Sequence, residues 1–530
     1  MTTTAKLFRS IQGLFVLCAA LLLSPVPRAG AETTLRVALH SDLKIIDPVW
    51  TSALITTHHG FMVYDQLFAL DEKLAIKPQM IDTWSVSDDK LTWTFKLRDG
   101  LAFHDGASVT AEDCLASIKR WAIKDGMGQK LVSFIREMKA LDAKTFQFAM
   151  KEPYGLVLDT LGKATSNVLF IMPKRVADGD ANTQLSEPIG SGPFIMKRDE
   201  WKPGERTVYI KNTKYVPRSE PPSGFAGGKV VNVDRVEWVW IADSQSQVNA
   251  LLSGEIDLIE APPHDLVPLF KKDKNVQLFV AAPLGRQYAM RFNMLHKPFD
   301  NAKIRQAVAY AFNQKEFLDG VVGNPDYYVI CKSAYPCGSP NETTKGWEDK
   351  LEGNINRAKQ LIAEAGYDGT PVVMMQSTDV SALSNLAPVA KNIMEKIGLK
   401  VDLQAIDWQS VVSRRVKRDA PSQGGWNIFF TSWGSIDVMD PVSTNFFNAS
   451  CDKATFGWPC DATLEKLRDE YARESDPAKR KAIAEAVHVR YSEYPTHIHL
   501  GQYLQPTAYR NTLTGLLVAS NLALWNVAKK

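Results

Sequence analysis

What most restricts the folds open to this chain is a repeated change of hydrophobic period. Leu91-Thr-Trp-Thr-Phe-Lys-Leu97 places apolar residues at every second position, the period of a half-buried strand. Thr110 then stands as the cap of a helix running to Trp121, with Asp113 three positions on to close a capping box. The same switch recurs along the chain. Residues 35–39 read as a strand. Asp243 opens a helix that ends near Gly254, and 256–259 is the strand that follows. Residues 354–366 form a helix closed by Gly366. Residues 381–397 form another, interrupted by Pro388, and Leu399, Val401 and Leu403 then alternate with polar neighbours. Asp476-Pro477 starts a helix with Asp as cap and Pro in the first turn. Strands and helices that alternate in this way predict an α/β protein with covered sheets. At 530 residues the chain needs two or more cores. Residues 217–228, rich in Pro, Gly and Ser, read as a surface loop. Trp84, Trp93, Trp121, Trp238 and Trp240 are expected in the core.

The N-terminus carries an address. Lys6 and Arg9 precede an apolar run, 11–23, that is too short to span a bilayer, and Ala29-Gly30-Ala31 offers small residues before Glu32. Residues 1–31 therefore read as a cleaved export signal. Cys18 lies inside the apolar run behind Leu17, which is too large for a lipid-anchor site. No later apolar run reaches the ~18 residues of a membrane span. With Lys6, Arg9 and Arg28 set aside, the remaining cationic side chains are matched by 59 carboxylates. A neutral chain without basic runs argues against nucleic acid as its partner.

Export implies an oxidising compartment, the periplasm. Cys331 and Cys337 bound one short loop and Cys451 and Cys460 another, and both pairs read as local disulfide staples. Cys114 lies in an apolar helical stretch and reads as a buried, inert thiol.

No catalytic set emerges. The Gly-rich phosphate loops and H-E-x-x-H are absent. Gly190-Ser191-Gly192 lacks the pattern of a nucleophile elbow, and Pro193 follows where a helix should start, so it reads as a tight turn. Asp178-Gly-Asp180-Ala-Asn182 mimics a calcium loop but has Thr183 and Ile189 at its sixth and twelfth positions. His497 and His499 share one face of a strand, read as a polar face in a cleft or at the surface. The adjacent His58 and His59 would point apart in a strand. No metal or cofactor is assigned. A large, exported, neutral α/β chain without a catalytic set favours a binding protein, with an exported hydrolase as the reading from another class.

One segment is distinctive: Trp84-Ser-Val-Ser-Asp-Asp-Lys-Leu-Thr-Trp-Thr-Phe-Lys-Leu-Arg-Asp-Gly-Leu-Ala-Phe-His104-Asp105-Gly106-Ala-Ser-Val-Thr-Ala-Glu-Asp113. Asp47-Pro48, Pro188-Ile-Gly-Ser-Gly-Pro-Phe194, Ala250-Leu-Leu-Ser-Gly-Glu-Ile-Asp257, Ile304-Arg-Gln-Ala-Val-Ala-Tyr-Ala311 and Ala358-Lys-Gln-Leu-Ile-Ala-Glu-Ala-Gly-Tyr367 follow the same pattern in order. Together they resemble the extracellular solute-binding proteins, family 5, of peptide and nickel ABC importers. The resemblance implies a two-lobe clamshell of type II, cluster C-like, with an additional subdomain. Lobe I would comprise 32–63, 187–281 and 505–530. The extra subdomain would be 64–186, and lobe II 282–504. Phe103-His104-Asp105-Gly106 reads as an architectural turn.

The resemblance also implies a site. In peptide-binding relatives an aspartate three residues after a Trp meets the peptide's α-ammonium. Here Asp437 is four residues after Trp433 and three before Asp440. The contact is placed on Asp437, with Asp440 the other candidate, because Asp440-Pro441 reads as a helix cap. Trp433 walls the pocket or packs between lobes. Ser52, Ala53 and Leu54 line the opposite wall and offer backbone hydrogen bonds to an extended ligand. Thr431 and Ser432 stand where some relatives carry an Arg for a short peptide's carboxylate. The function implied is a periplasmic receptor, expected as a monomer, that delivers a peptide to ABC permease and ATPase subunits. An opine-like amine, an oligosaccharide or a metal chelate are the alternative cargoes.

Overall fold

The computed structural model describes residues 32–164, 166–474 and 476–530. The export segment expected at 1–31 lies outside them. No helix among the described residues is long and apolar enough to cross a membrane.

Three sheets carry the architecture. A seven-stranded sheet runs in the order Val276–Phe279, Thr507–Arg510, Leu258–Ile259, Thr34–Ala38, Arg235–Val239, Arg206–Lys211, Phe194–Met196. Its central strand, Thr34–Ala38, pairs parallel with both neighbours, and the outer pairings are antiparallel. Helix Ser244–Ser253 packs Val248 and Leu251 against Ala38, Ile259 and Ala508 in a small core of their own, while Leu35, Val37 and Leu258 belong to the main core. A six-stranded sheet runs Tyr328–Val329, His497–Tyr503, Arg286–Phe292, Ile428–Gly434, Val372–Ser377, Val401–Ile406. A four-stranded antiparallel sheet is built from Ile81–Val86, Thr92–Leu97, Thr145–Met150 and Ile135–Ala140. The chain passes between the two large sheets twice, through 280–285 and 504–506.

The capping residues act as their chemistry dictates. Thr110 and Asp113 form a reciprocal capping box on helix Ala111–Ala122. Asp243, Asn354 and Asp476 cap the helices Ser244–Ser253, Ile355–Glu364 and Pro477–Glu493, and Gly254 closes the first in a left-handed conformation. Cys331 is bonded to Cys337 and Cys451 to Cys460. Cys114 is a buried free thiol whose pKa burial pushes up.

Several expectations are corrected. Helix 381–397 breaks at Asn385, into Ser381–Ser384 and Leu386–Lys396. Pro388 sits in the first turn of the second piece, where its missing N–H has no partner to lose. The strand at 256–259 shortens to Leu258–Ile259. The 217–228 loop is not all surface: Phe225 is buried and stacks on Phe61 at 4.2 Å. Next to it the fully buried Lys229 pairs with Asp65 at 2.7 Å. Trp121 and Trp238 are in the core, Trp93 and Trp240 are half-buried, and Trp84 is 40% exposed on the edge strand Ile81–Val86.

Candidate functional site

A cavity with about 1150 Å³ of atom-free space, part of it open to solvent, lies between the two large sheets. One wall is built at the carboxyl ends of the adjacent parallel strands Thr34–Ala38 and Leu258–Ile259, where open α/β sheets leave a crevice. The other is built at the end of strand Ile428–Gly434 and its antiparallel partner Arg286–Phe292.

Asp437 sits in the 3₁₀ turn Ser435–Val438 that directly follows the strand Ile428–Gly434. It lines the cavity at 8% exposure and has no ion-pair partner among the described residues. Burial raises its pKa to about 7 against the opposing pull of Lys163 and Arg286, with Asp125 adding a small further rise. Trp433, on the strand itself, also lines the cavity. Its ring packs edge-to-face on Phe446 at 5.0 Å, and its indole N–H has no partner among the described residues.

The opposite wall hangs on Asp47. Its Oδ1 accepts from the backbone N–H groups of Val49 and Trp50, and its Oδ2 from Leu185 N–H and the Arg120 guanidinium at 2.9 Å. Both partners of this ion pair are fully buried. The Asp47-Pro48 motif thus fixes the loop that presents Ser52 and Leu54 to the cavity. Ala53 is corrected: it is buried off the cavity wall as the N-cap of helix Leu54–Val63, and its carbonyl accepts from Thr56 and Thr57 N–H.

Asp440 is also corrected in its local role. Its carboxylate accepts from the N–H groups of Val442 and Ser443, as a cap does, but no α-helix follows; the next element is the 3₁₀ turn Asn445–Phe447. It does not line the cavity. His497 and His499 are not a cleft or surface face: both are buried, bonded to Thr496, Tyr491 and the Lys332 carbonyl, and burial depresses their pKa values. His58 and His59 lie on helix Leu54–Val63 rather than on a strand. His59 bonds Tyr209, and His58 turns toward Glu260.

Two arginines escaped the reading of the sequence. Arg286 opens its strand opposite Gly434 and donates to Ser432 Oγ at 3.2 Å. Arg415 ends helix Trp408–Arg414, is 3% exposed, and donates to Ser52 Oγ at 3.3 Å. Its guanidinium lies 4.3 Å from the Phe456 ring centre, its Nε has no partner among the described residues, and burial lowers its pKa to about 9. Neither arginine is in an ion pair among the described residues. Neither has a local signature, because each reaches the cavity through a partner more than a hundred residues away. His40 and Glu260 complete the polar lining: His40 Nδ1 lies 2.7 Å from Glu260 Oε2. Burial alone would raise the Glu260 carboxyl, but His40 and His58 beside it hold it below the usual range. Burial lowers His58 to about 4.

Four of the cavity's lining residues carry a buried polar atom without a hydrogen-bond partner among the described residues: Trp433 Nε1, Arg415 Nε, Ser520 Oγ and Asn521 Oδ1. Buried polar atoms are rarely left unbonded in native proteins, so this lining is suited to a polar guest.

The model of the bacterial extracellular solute-binding proteins, family 5 (middle), matches residues 75–455. The chain is 40% identical over 512 residues, covering 96% of each protein, to the probable peptide ABC transporter periplasmic-binding protein y4tO of Sinorhizobium fredii strain NBRC 101917 / NGR234. Among solved structures it is similar to AgaA from A. tumefacien R10 in complex with agropinic acid, with a TM-score of 0.79, 23% identity, and coverage of 94% of this chain and 99% of that one. It is also similar to the oligopeptide-binding protein AppA of Bacillus subtilis in complex with a nonapeptide, with a TM-score of 0.78, 19% identity, and coverage of 94% and 99%. The chain belongs to the family 5 extracellular solute-binding proteins and has their two-lobe fold. Members of this family bind a peptide or small-molecule ligand and work with an ABC permease and its ATPase.

Proposed function

We propose that the protein is a periplasmic receptor for short peptides, engaging the cargo's ammonium through Asp437 and its carboxylate through Arg286 or Arg415. The observation that carries this reading is a buried carboxylate without an ion-pair partner that shares one cavity with two arginines likewise unpaired among the described residues. A cargo with both charges would pair Asp437 and one of the two arginines, and buried charges are tolerated only when paired. The 40% identical relative named for peptide transport supports the cargo class. Trp433 and Leu54 supply apolar wall, and Ser52 a hydroxyl and backbone groups.

The lobes run 32–63 with 187–281 and 505–530, and 282–504, with 64–186 as the additional subdomain. Each of the three sheets falls within one of these divisions. Residues 1–31 are removed on export, and the mature monomer starts at Glu32. Cargo bridges the lobes and favours the closed form because it contacts both walls only there. The closed form then docks on the permease.

A second reading, an opine-like cargo, is favoured by the presence of two arginines, which suit a guest with two carboxylates. Calorimetry with peptides of two to five residues, their N-acetylated forms and opines tests both. Free-amine peptides should bind, and N-acetylation should abolish binding. Binding of opines alone would replace the first reading by the second. Turnover of peptides or esters by the purified protein would instead favour a hydrolase.

A further inference from the structure

At the lobe I wall of the cavity, three residues from three separate segments meet. His40 follows strand Thr34–Ala38, Glu260 follows the adjacent parallel strand Leu258–Ile259, and His58 is on helix Leu54–Val63. One donor atom from each lies within 4.8 Å of the others. His40 Nδ1 is 2.7 Å from Glu260 Oε2, and His58 Nδ1 is 3.5 Å from Glu260 Oε1. The backbone holds this arrangement: Glu260 N–H donates to the Ala38 carbonyl, and His40 N–H donates to Glu260 Oε2 at 3.0 Å. The independent sign of a ligand is His58. It is 3% exposed, and neither of its ring nitrogens has a hydrogen-bond partner among the described residues. A buried imidazole ordinarily uses at least one of them.

We propose that His40, His58 and Glu260 form a binding site for a borderline divalent cation, Zn²⁺ or Ni²⁺, on the wall of the cargo cavity. Two imidazoles and one carboxylate suit such ions and not Mg²⁺ or Ca²⁺, which prefer an all-oxygen shell. Metal–ligand bonds of about 2.0–2.2 Å in a tetrahedral site put donor atoms about 3.3 Å apart, close to the 2.7 and 3.5 Å that separate the two imidazoles from Glu260 and inside the 4.8 Å that bounds the group. Three protein ligands leave a fourth position open. His40 and Glu260 line the cavity, so that position faces the cargo, and a carboxylate or amine of the guest can complete the shell. Metal binding is measured without cargo and does not depend on the peptide reading. Its failure leaves that reading intact.

The test uses the mature protein stripped with a chelator and dialysed against micromolar Zn²⁺, and separately Ni²⁺, with elemental analysis of the retained metal. One equivalent of either ion is expected, with no retention of Mg²⁺. His58→Ala and Glu260→Gln should each weaken retention at least about tenfold, because even residues behind a metal's ligands cost 10–100-fold when changed. Trp84→Phe, on the exposed edge strand Ile81–Val86, should retain the metal fully. Melting curves check that the variants fold, and Glu260→Gln, which keeps side-chain size, decides if His58→Ala does not. Co²⁺ bound to the unaltered protein should give the intense visible bands of a four-coordinate site. No retained equivalent, unchanged retention in the folded variants, or a weak octahedral Co²⁺ spectrum would overturn the proposal.

Discussion

In the proposed reading, recognition turns on Asp437. A cargo ammonium placed against it forms a charge-assisted pair away from water, stronger than any surface pair. Removing the carboxylate leaves the ammonium buried and unpaired, at about 2–5 kcal/mol. At about 1.4 kcal/mol per decade, Asp437→Asn should weaken an amine-bearing peptide by roughly 30-fold to several thousand-fold in calorimetry. Asp440→Asn should bind nearly normally, since Asn also accepts from a turn's N–H groups. The reverse pattern would shift the ammonium contact to Asp440. The pKa near 7 adds a pH signature. Only the ionised form pairs with an ammonium, so below pH 7 each binding event must expel a proton. Affinity should therefore fall toward tenfold per pH unit there, and Asp437→Asn should lose this slope. Stability has the opposite sign. A carboxyl raised above its ordinary 3.8 binds its proton more tightly folded than unfolded, so the free protein gains stability as pH falls from about 7 toward that value. Melting curves across that range, with and without the substitution, isolate the contribution. Lys163, Arg286 and Asp125 are the charges that act on this carboxyl, and all three stay in place in the variant.

Among the elements, two of the motifs that announced the family build a joint. Gly190 and Gly192 press against the chain at Val63 and Tyr64, just past helix Leu54–Val63. A Cβ at Gly190 would lie 2.0 Å from the Val63 carbonyl oxygen, and one at Gly192 would lie 2.6 Å from the Val63 carbonyl carbon. His104, from the long signature segment, locks the same joint: its N–H donates to the Gly190 carbonyl and its ring bonds the Gly192 carbonyl. Gly190→Ala should therefore cost about 1–3 kcal/mol or more by overpacking rigid backbone, seen as a lowered midpoint in denaturant. An unchanged midpoint would mean that the joint is soft. Asp47 works one layer further in. Asp47→Ala strands the buried Arg120 guanidinium, at about 3–5 kcal/mol, and releases the loop that carries Ser52. Both stability and cargo affinity should fall together, whereas Asp437→Asn separates them.

At the scale of the molecule, the two large sheets are joined by two short crossings, and their lobes touch beside the cavity. Gln409 Nε2 reaches Ser41 Oγ and the Asp42 carbonyl at 3.5 Å, Arg415 reaches Ser52, and Lys44 lies 3.6 Å from Asp407. The last pair is largely exposed, and such pairs contribute little. The proposed cargo would add a bridge between the same two walls. Saturating cargo should lower the radius of gyration in small-angle scattering without change in secondary structure, because short crossings permit a hinge and each lobe has its own sheet. Equal scattering curves with and without cargo would count against ligand-driven closure.

Much of this protein was decided within reach of a few residues. Caps such as Thr110 with Asp113, and Asp476 before Pro477, specify helix starts because a side chain bonds a backbone group three positions away. The disulfide loops close over six and nine residues. Period-two and period-3.6 patterns fix the α/β class for the same reason. Where local grammar was ambiguous, packing chose: Pro388 was absorbed into a first turn, Asp440-Pro441 capped a turn and no helix, and Phe225 left its surface loop to stack on Phe61. The site itself belonged to the tertiary structure. Asp437 and Trp433 were visible through family resemblance, four residues apart on one segment. Arg286, Arg415 and the His40–His58–Glu260 cluster were not. His40 meets Glu260 across 220 residues of sequence and Arg415 meets Ser52 across 363, and only strand pairing and lobe packing bring them to one cavity.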